Sequence, residues 1–247
     1  MFCYRSKRSA TGHPPLPSAA EKTNQKRIVC YVTDGKSLTP GDHTSGRTAH
    51  VLGKIRKAIT AGVDWVQIRE QDLSARDLLS LARQALRETA AVPDAHVRII
   101  LNDRVDVALA VGAAGVHLGG ESLPLREVLR WHRAGNGPAN WLIGASCHSL
   151  AGACEAESSG ATYIFFGPVF DTPSKRPFGP PQGVAKLAEV CRAVRIPVIA
   201  IGGVNRTNGD DCLRAGAAGV AAIRLFQEPS AAAELTQTIR AWHSAGE

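Results

Sequence analysis

One pattern recurs eight times along the 247 residues: a short apolar run with strand character, then a longer segment with helical periodicity. The runs are Ile28–Thr33, Val63–Arg69, Val97–Leu101, Gly115–Leu118, Trp141–Gly144, Thr162–Phe166, Pro197–Ile201 and Gly219–Ile223. Helices are expected over Ala49–Ala61, from a Ser74 cap through Glu88, over Val105–Val111 and Pro124–Ala134, from a Ser149 cap to Ser159, and over Val184–Val194, Asn205–Ala215 and Ser230–His243. Alternation of this kind places helices on the faces of a parallel sheet. No linker interrupts the repeats, and no glycine fingerprint of a dinucleotide fold follows the first run. The expected fold class is therefore α/β, a single (β/α)8 TIM barrel over residues 28–247, at a length typical of that architecture.

Charge narrows the function classes. The chain carries a formal +7, but Arg5, Lys7, Arg8, Lys22, Lys26 and Arg27 face only Glu21 in the first 27 residues, which hold five of the seven net charges. That stretch is rich in Ser and Pro and has no apolar signal core, so residues 1–27 read as a disordered basic N-terminal extension. The remaining body is nearly neutral, which argues against a nucleic-acid partner. No apolar run is long enough to span a membrane, so no membrane partner is expected. The six cysteines show neither CxxC nor Cys/His metal spacing and read as reduced thiols of a cytoplasmic protein. Nothing in the sequence fixes the oligomeric state, and a homo-oligomer remains open.

Chemistry concentrates at the ends of the runs, where catalytic groups of such barrels gather at one rim. In the second run, Gln67 and Arg69 share one face while Val66 and Ile68 share the other. Apolar residues facing the helices turn Gln67 and Arg69 toward the barrel interior, and an arginine there suggests an anion. Asn102-Asp103 follows the third run, where Asp103 can ligate a magnesium ion or either residue can cap the next helix. Ser146 and His148 lie in the loop expected after the fifth run, and a histidine beside a hydroxyl suits general acid or base work. His117, inside the fourth run, reads as an interior histidine. The segment Val169–Gln182 has no periodicity and is long enough for a lid, with Thr172 and Lys175 on it. Gly202-Gly203 after the seventh run and Ile223-Arg224 after the eighth occupy the usual phosphate cradle of the fold.

Several stretches match in order and resemble the thiamine-phosphate synthase and thiazole tautomerase superfamily, closer to the synthases. They are QIRE at Gln67–Glu70, LNDRVDVAL at Leu101–Leu109, GVHLG at Gly115–Gly119, GASCHS at Gly144–Ser149, YIFFGPVFDTPSK at Tyr163–Lys175, PVIAIGGV at Pro197–Val204 and AGAAGVAAI at Ala215–Ile223. The resemblance implies a transferase of thiamine biosynthesis that joins hydroxymethylpyrimidine diphosphate to a thiazole phosphate. Diphosphate leaves first in that family, and the thiazole nitrogen captures the pyrimidine carbocation. It further implies that Gln67, Arg69, Asn102 and Lys175 hold diphosphate, Asp103 ligates Mg²⁺, Ser146 lies near the pyrimidine and Thr172 touches the thiazole. Gly203 with the Ile223-Arg224 backbone would take the thiazole phosphate. The chain departs from the family pattern at Gln71, Ser122 and Arg224, where the synthases usually have Lys, Asp and Ser. Two alternatives follow from these departures: a tautomerase using His148, or a non-catalytic regulator that binds thiazole phosphate.

Overall fold

Short strands buried on both faces need a helix layer outside and a filled interior, and the chain supplies both. The structure is a computed structural model that describes residues 27–38, 44–93, 96–172, 180–228 and 232–244. Eight strands close in chain order into a parallel barrel. They are β1 (Ile28–Val32), β2 (Trp65–Ile68), β3 (Arg98–Asn102), β4 (Gly115–Leu118), β5 (Leu142–Cys147), β6 (Tyr163–Phe166), β7 (Val198–Ile201) and β8 (Gly219–Ala222). β1 pairs with both β2 and β8, which closes the ring.

The period of two along each strand sorts residues between two cores. Cys30, Val32, Trp65, Ile100, Tyr163, Phe165, Ile199 and Ala221 fill the barrel. Tyr31, Val66, Ile68, Ile99, Leu101, Val116, Ile143, Ile164 and Val220 pack outward in the helix layer. Gln67 therefore points inward, as its alternation with Val66 and Ile68 requires, and is 2% exposed.

The outer helices are α1 (Gly35–Leu38), α2 (Thr44–Ala61), α3 (Ala75–Ala90), α4 (Val105–Val111), α5 (Leu125–Arg133), α6 (Leu150–Ser159), α7 (Gly183–Ala193), α8 (Gly209–Arg214), α9 (Arg224–Gln227) and α10 (Ala232–Ser244). Ser74 caps α3 through the Asp77 N–H, and Ser149 caps α6 through the Gly152 N–H, both as the sequence suggests. Two helix starts differ from expectation by four residues or more. α2 begins at Thr44, five residues early. α8 begins late, because Asn205 bonds the Thr207 N–H and hydroxyl and holds a turn in place of the first helical residues.

The N-terminal face of the barrel is closed by side chains from distant parts of the chain. Asp64 Oδ2 accepts from the Val29 N–H at 2.8 Å and contacts His243 Nε2 at 2.8 Å. Arg27, assigned by the sequence to the basic extension, is buried and donates to the Ala217 carbonyl at 2.9 Å. The rest of the extension lies outside the described residues. No described helix is long and apolar enough to cross a membrane. The five described cysteines are all free, and four of them are buried.

Candidate active site

Side chains converge at the opposite face, where the strands end. Gln67 stands one residue before the end of β2, and its Nε2 donates to Asn102 Oδ1, at the end of β3, over 2.8 Å. Asn102 Nδ2 in turn donates to Asp103 Oδ2 over 2.6 Å. The Asp103 carboxylate also accepts from the Ser122 hydroxyl, in the turn after β4, and from the Gly119 N–H at 3.4 Å. Three adjacent strand ends thus support one carboxylate. Gln67 Oε1 is buried without a partner among the described residues, an acceptor left open on the site.

Asp103 has φ 61°, the left-handed region that side chains other than those of Asn and Asp rarely enter. The next helix takes Arg104 as its N-cap, with no side-chain cap bond. Neither Asn102 nor Asp103 is a cap, so of the two roles open in the sequence the capping one is absent. Strained backbone of this kind gathers at functional sites.

Arg69, just past β2, is partly buried. Its backbone N–H donates to Thr33 Oγ1 at 2.9 Å, and its guanidinium reaches Gln71 Oε1 at 3.4 Å. Gln71 therefore contacts the very cation whose partner lysine it replaces in the family pattern. Glu70 beside them is buried and accepts the Gly35 N–H at 3.0 Å through both oxygens. Burial raises its pKa, against lowering hydrogen bonds from Thr33 and Gly35. Sequence reasoning did not single out Glu70 or Thr33, which together tie the β1 loop to the end of β2.

Ser146 lies within β5 rather than in the loop expected for it, because pairing carries that strand on to Cys147. Its Oγ is 2.9 Å from His117 Nε2. His117 is interior, as expected, and burial pushes its pKa down to about 3. His148 follows β5 at an exposed position, where its Nδ1 donates to the Gly167 carbonyl. Gly167-Pro168 is a cis peptide bond.

The glycines after β7 are backbone-dictated. Gly202 and Gly203 have φ 93° and 69°. A Cβ on Gly203 would stand 2.6 Å from the Asp171 carbonyl and 2.7 Å from Phe170 Cβ, so only glycine lets the segment after β6 lie this close. The Phe170 N–H donates to the Gly202 carbonyl at 2.9 Å, which joins that segment to the cradle. Ile223 precedes the short helix α9, and Arg224 is its exposed first residue. Thr172 is partly buried on the segment after β6, while Lys175 lies outside the described residues.

A family model described as thiamine monophosphate synthase matches residues 38–226. A thiamine-phosphate synthase of Methanoculleus marisnigri is 44% identical over 182 residues, 74% of this chain and 82% of the relative. Another from Roseiflexus castenholzii is 42% identical over 209 residues, 85% of this chain and 82% of the relative. Among solved structures, a thiamine phosphate pyrophosphorylase from Pyrococcus furiosus superposes with a TM-score of 0.73 at 30% identity, over 90% of this chain and 98% of that one. With the family model covering most of the barrel and relatives above 40% identity along most of their length, the chain belongs to the thiamine monophosphate synthase family.

Proposed function

We propose that this protein condenses hydroxymethylpyrimidine diphosphate with thiazole phosphate, forming thiamine phosphate and releasing diphosphate. One observation carries the reading: the hydrogen-bonded line from Gln67 through Asn102 to Asp103, which fixes a carboxylate at the barrel rim. Arg69 stands two residues along from Gln67 and supplies positive charge for the diphosphate.

The donor set fits a magnesium ion. A carboxylate offers about four lone-pair positions, and Asn102, Ser122 and the Gly119 N–H use three of those on Asp103. One remains for a metal, and magnesium needs few protein ligands because waters and phosphate oxygens complete its octahedron. Bound there, it would neutralise charge that builds on the departing diphosphate. Ser122, where the family pattern has a second Asp, keeps the Asp103 carboxylate in place instead of adding charge.

In the reaction, the bond from the pyrimidine methylene carbon to the diphosphate oxygen breaks, and its electron pair leaves with the diphosphate. The thiazole nitrogen lone pair forms the new carbon–nitrogen bond. Arg69, Gln67, Asn102 and Lys175 hold the diphosphate, Ser146 meets the pyrimidine, and Thr172 meets the thiazole. Backbone N–H groups at Gly202-Gly203 and Ile223-Arg224 hold the thiazole phosphate, which suits glycines that no side chain could replace. The product nitrogen carries no proton to be removed, so His148 is assigned to anchoring the segment after β6 through Gly167 rather than to proton transfer.

The test is thiamine phosphate formation by the purified protein with both substrates and Mg²⁺, then with EDTA. Product that disappears with EDTA is expected, and Arg69→Ala should lower turnover by ~100-fold or more. No product from the two substrates, with tautomerisation of a thiazole carboxylate phosphate that His148→Ala abolishes, would identify a tautomerase. Thiazole phosphate binding without either turnover would identify a regulator.

A further inference from the structure

Behind Ser146 the barrel interior holds two polar side chains that the proposed reaction does not use. His117 on β4 is level with Gly144 on β5, and Gly144 is level with Tyr163 on β6. A Cβ on Gly144 would stand 2.1 Å from Tyr163 Cζ. The missing side chain is a window through which the Tyr163 ring passes β5. Its hydroxyl then lies 3.1 Å from His117 Nδ1, while His117 Nε2 lies 2.9 Å from Ser146 Oγ. The three groups form a line from the closed interior to the open rim.

Their surroundings settle which atom donates. Tyr163 is fully buried, edge-on to Trp65 at 4.8 Å, and His117 lies 4.3 Å from the Phe165 ring. No carboxylate bonds either group among the described residues, and an imidazole buried in this way is neutral, with one nitrogen donating and the other accepting. With the proton on Nδ1, the Tyr163 oxygen would accept it, and the phenol O–H would find no acceptor among the described residues. An orphaned donor of that kind costs about 1–3 kcal/mol. With the proton on Nε2, the phenol donates to Nδ1 and Nε2–H donates to Ser146 Oγ, so every group is satisfied. Ser146 then accepts from behind and keeps its own hydrogen for the rim.

We propose that Tyr163 and His117 are positioning residues that lock the Ser146 hydroxyl as a hydrogen-bond donor toward an acceptor on the bound pyrimidine substrate. The catalytic consequence rests on the function proposed above; the proton order within the line does not. The device makes the site select for a lone pair at that point, because a substrate presenting a donor there would meet the Ser146 hydrogen.

Nitrogen-15 NMR of the histidine-labelled, ligand-free protein reads the tautomer directly. The expected result is His117 with its proton on Nε2, and a shift toward the other tautomer or a mixture in Tyr163→Phe, which keeps the ring in the Gly144 window. In the synthase assay Tyr163→Phe should lower kcat by about tenfold with KM little changed, and should have no further effect in a Ser146→Ala background. A proton on Nδ1 in the unaltered protein overturns the proposal, as do losses that simply add in the double variant. Absence of synthase turnover would defeat the reaction assignment while leaving the tautomer result standing.

Discussion

At the scale of single residues, Asp103 holds the site together at a backbone angle that works against it. A side chain in the left-handed region costs ~1–2 kcal/mol, less for Asp than for most residues. The carboxylate recovers part of this through Asn102, Ser122 and the Gly119 N–H. Removing the carboxylate while varying only the Cβ separates the two effects. Asp103→Ala and Asp103→Gly should both lose product formation by ~100-fold or more, while the glycine variant unfolds in urea at about 1 kcal/mol higher stability than the alanine variant. Equal stabilities would show that the backbone angle is not constrained there, and surviving turnover in either variant would overturn the proposed magnesium role of Asp103. The sequence left Asn102-Asp103 divided between cap and ligand because both roles use the same short acceptor side chains. Only the backbone, which passes the cap to Arg104, separates them.

At the scale of elements, the strand–helix alternation was legible throughout, but the ends of elements were not always. β5 was expected to stop at Gly144, since Ala145, Ser146 and Cys147 carry weak strand character. Its end is set instead by pairing, with Leu118 level with Ala145 and Phe165 level with Ser146. The early start of α2 was hidden for the opposite reason, in a stretch whose glycine and threonine content resembles a loop. The same substitution should therefore have opposite signs in the two elements. Gly144→Ala drives a methyl into the Tyr163 ring and should cost about 1–3 kcal/mol. Gly53→Ala, exposed inside α2 with nothing within 4 Å of the new atom, should add about 0.5–1 kcal/mol. Urea unfolding of both variants checks the pair. A neutral Gly144→Ala would mean that the Tyr163 ring yields readily and the window behind Ser146 is loose.

At the scale of the whole molecule, the barrel separates its work between its two faces. The proposed chemistry draws on strand ends at one rim, whereas the other face is fastened by contacts distant in sequence: Arg27 to Ala217, and His243 to the Asp64 that also holds Val29. Trp242 from the closing helix is 1% exposed and lies against Gly209, where a Cβ would come within 2.4 Å of its ring. The Arg27 bond crosses from β1 to β8, the Asp64 bonds join β1 to β2 and the closing helix, and Trp242 seats that helix on α8, so these contacts protect closure rather than the proposed reacting groups. Trp242→Ala should then cost about 3–5 kcal/mol of stability, yet leave kcat and KM unchanged when assayed well below its unfolding temperature. Arg69→Ala should do the reverse, sparing the unfolding midpoint and removing turnover. A kcat that falls in Trp242→Ala while the protein remains fully folded would show that the packing of the closing helix on α8 transmits strain to the rim, and the two faces could no longer be treated as independent.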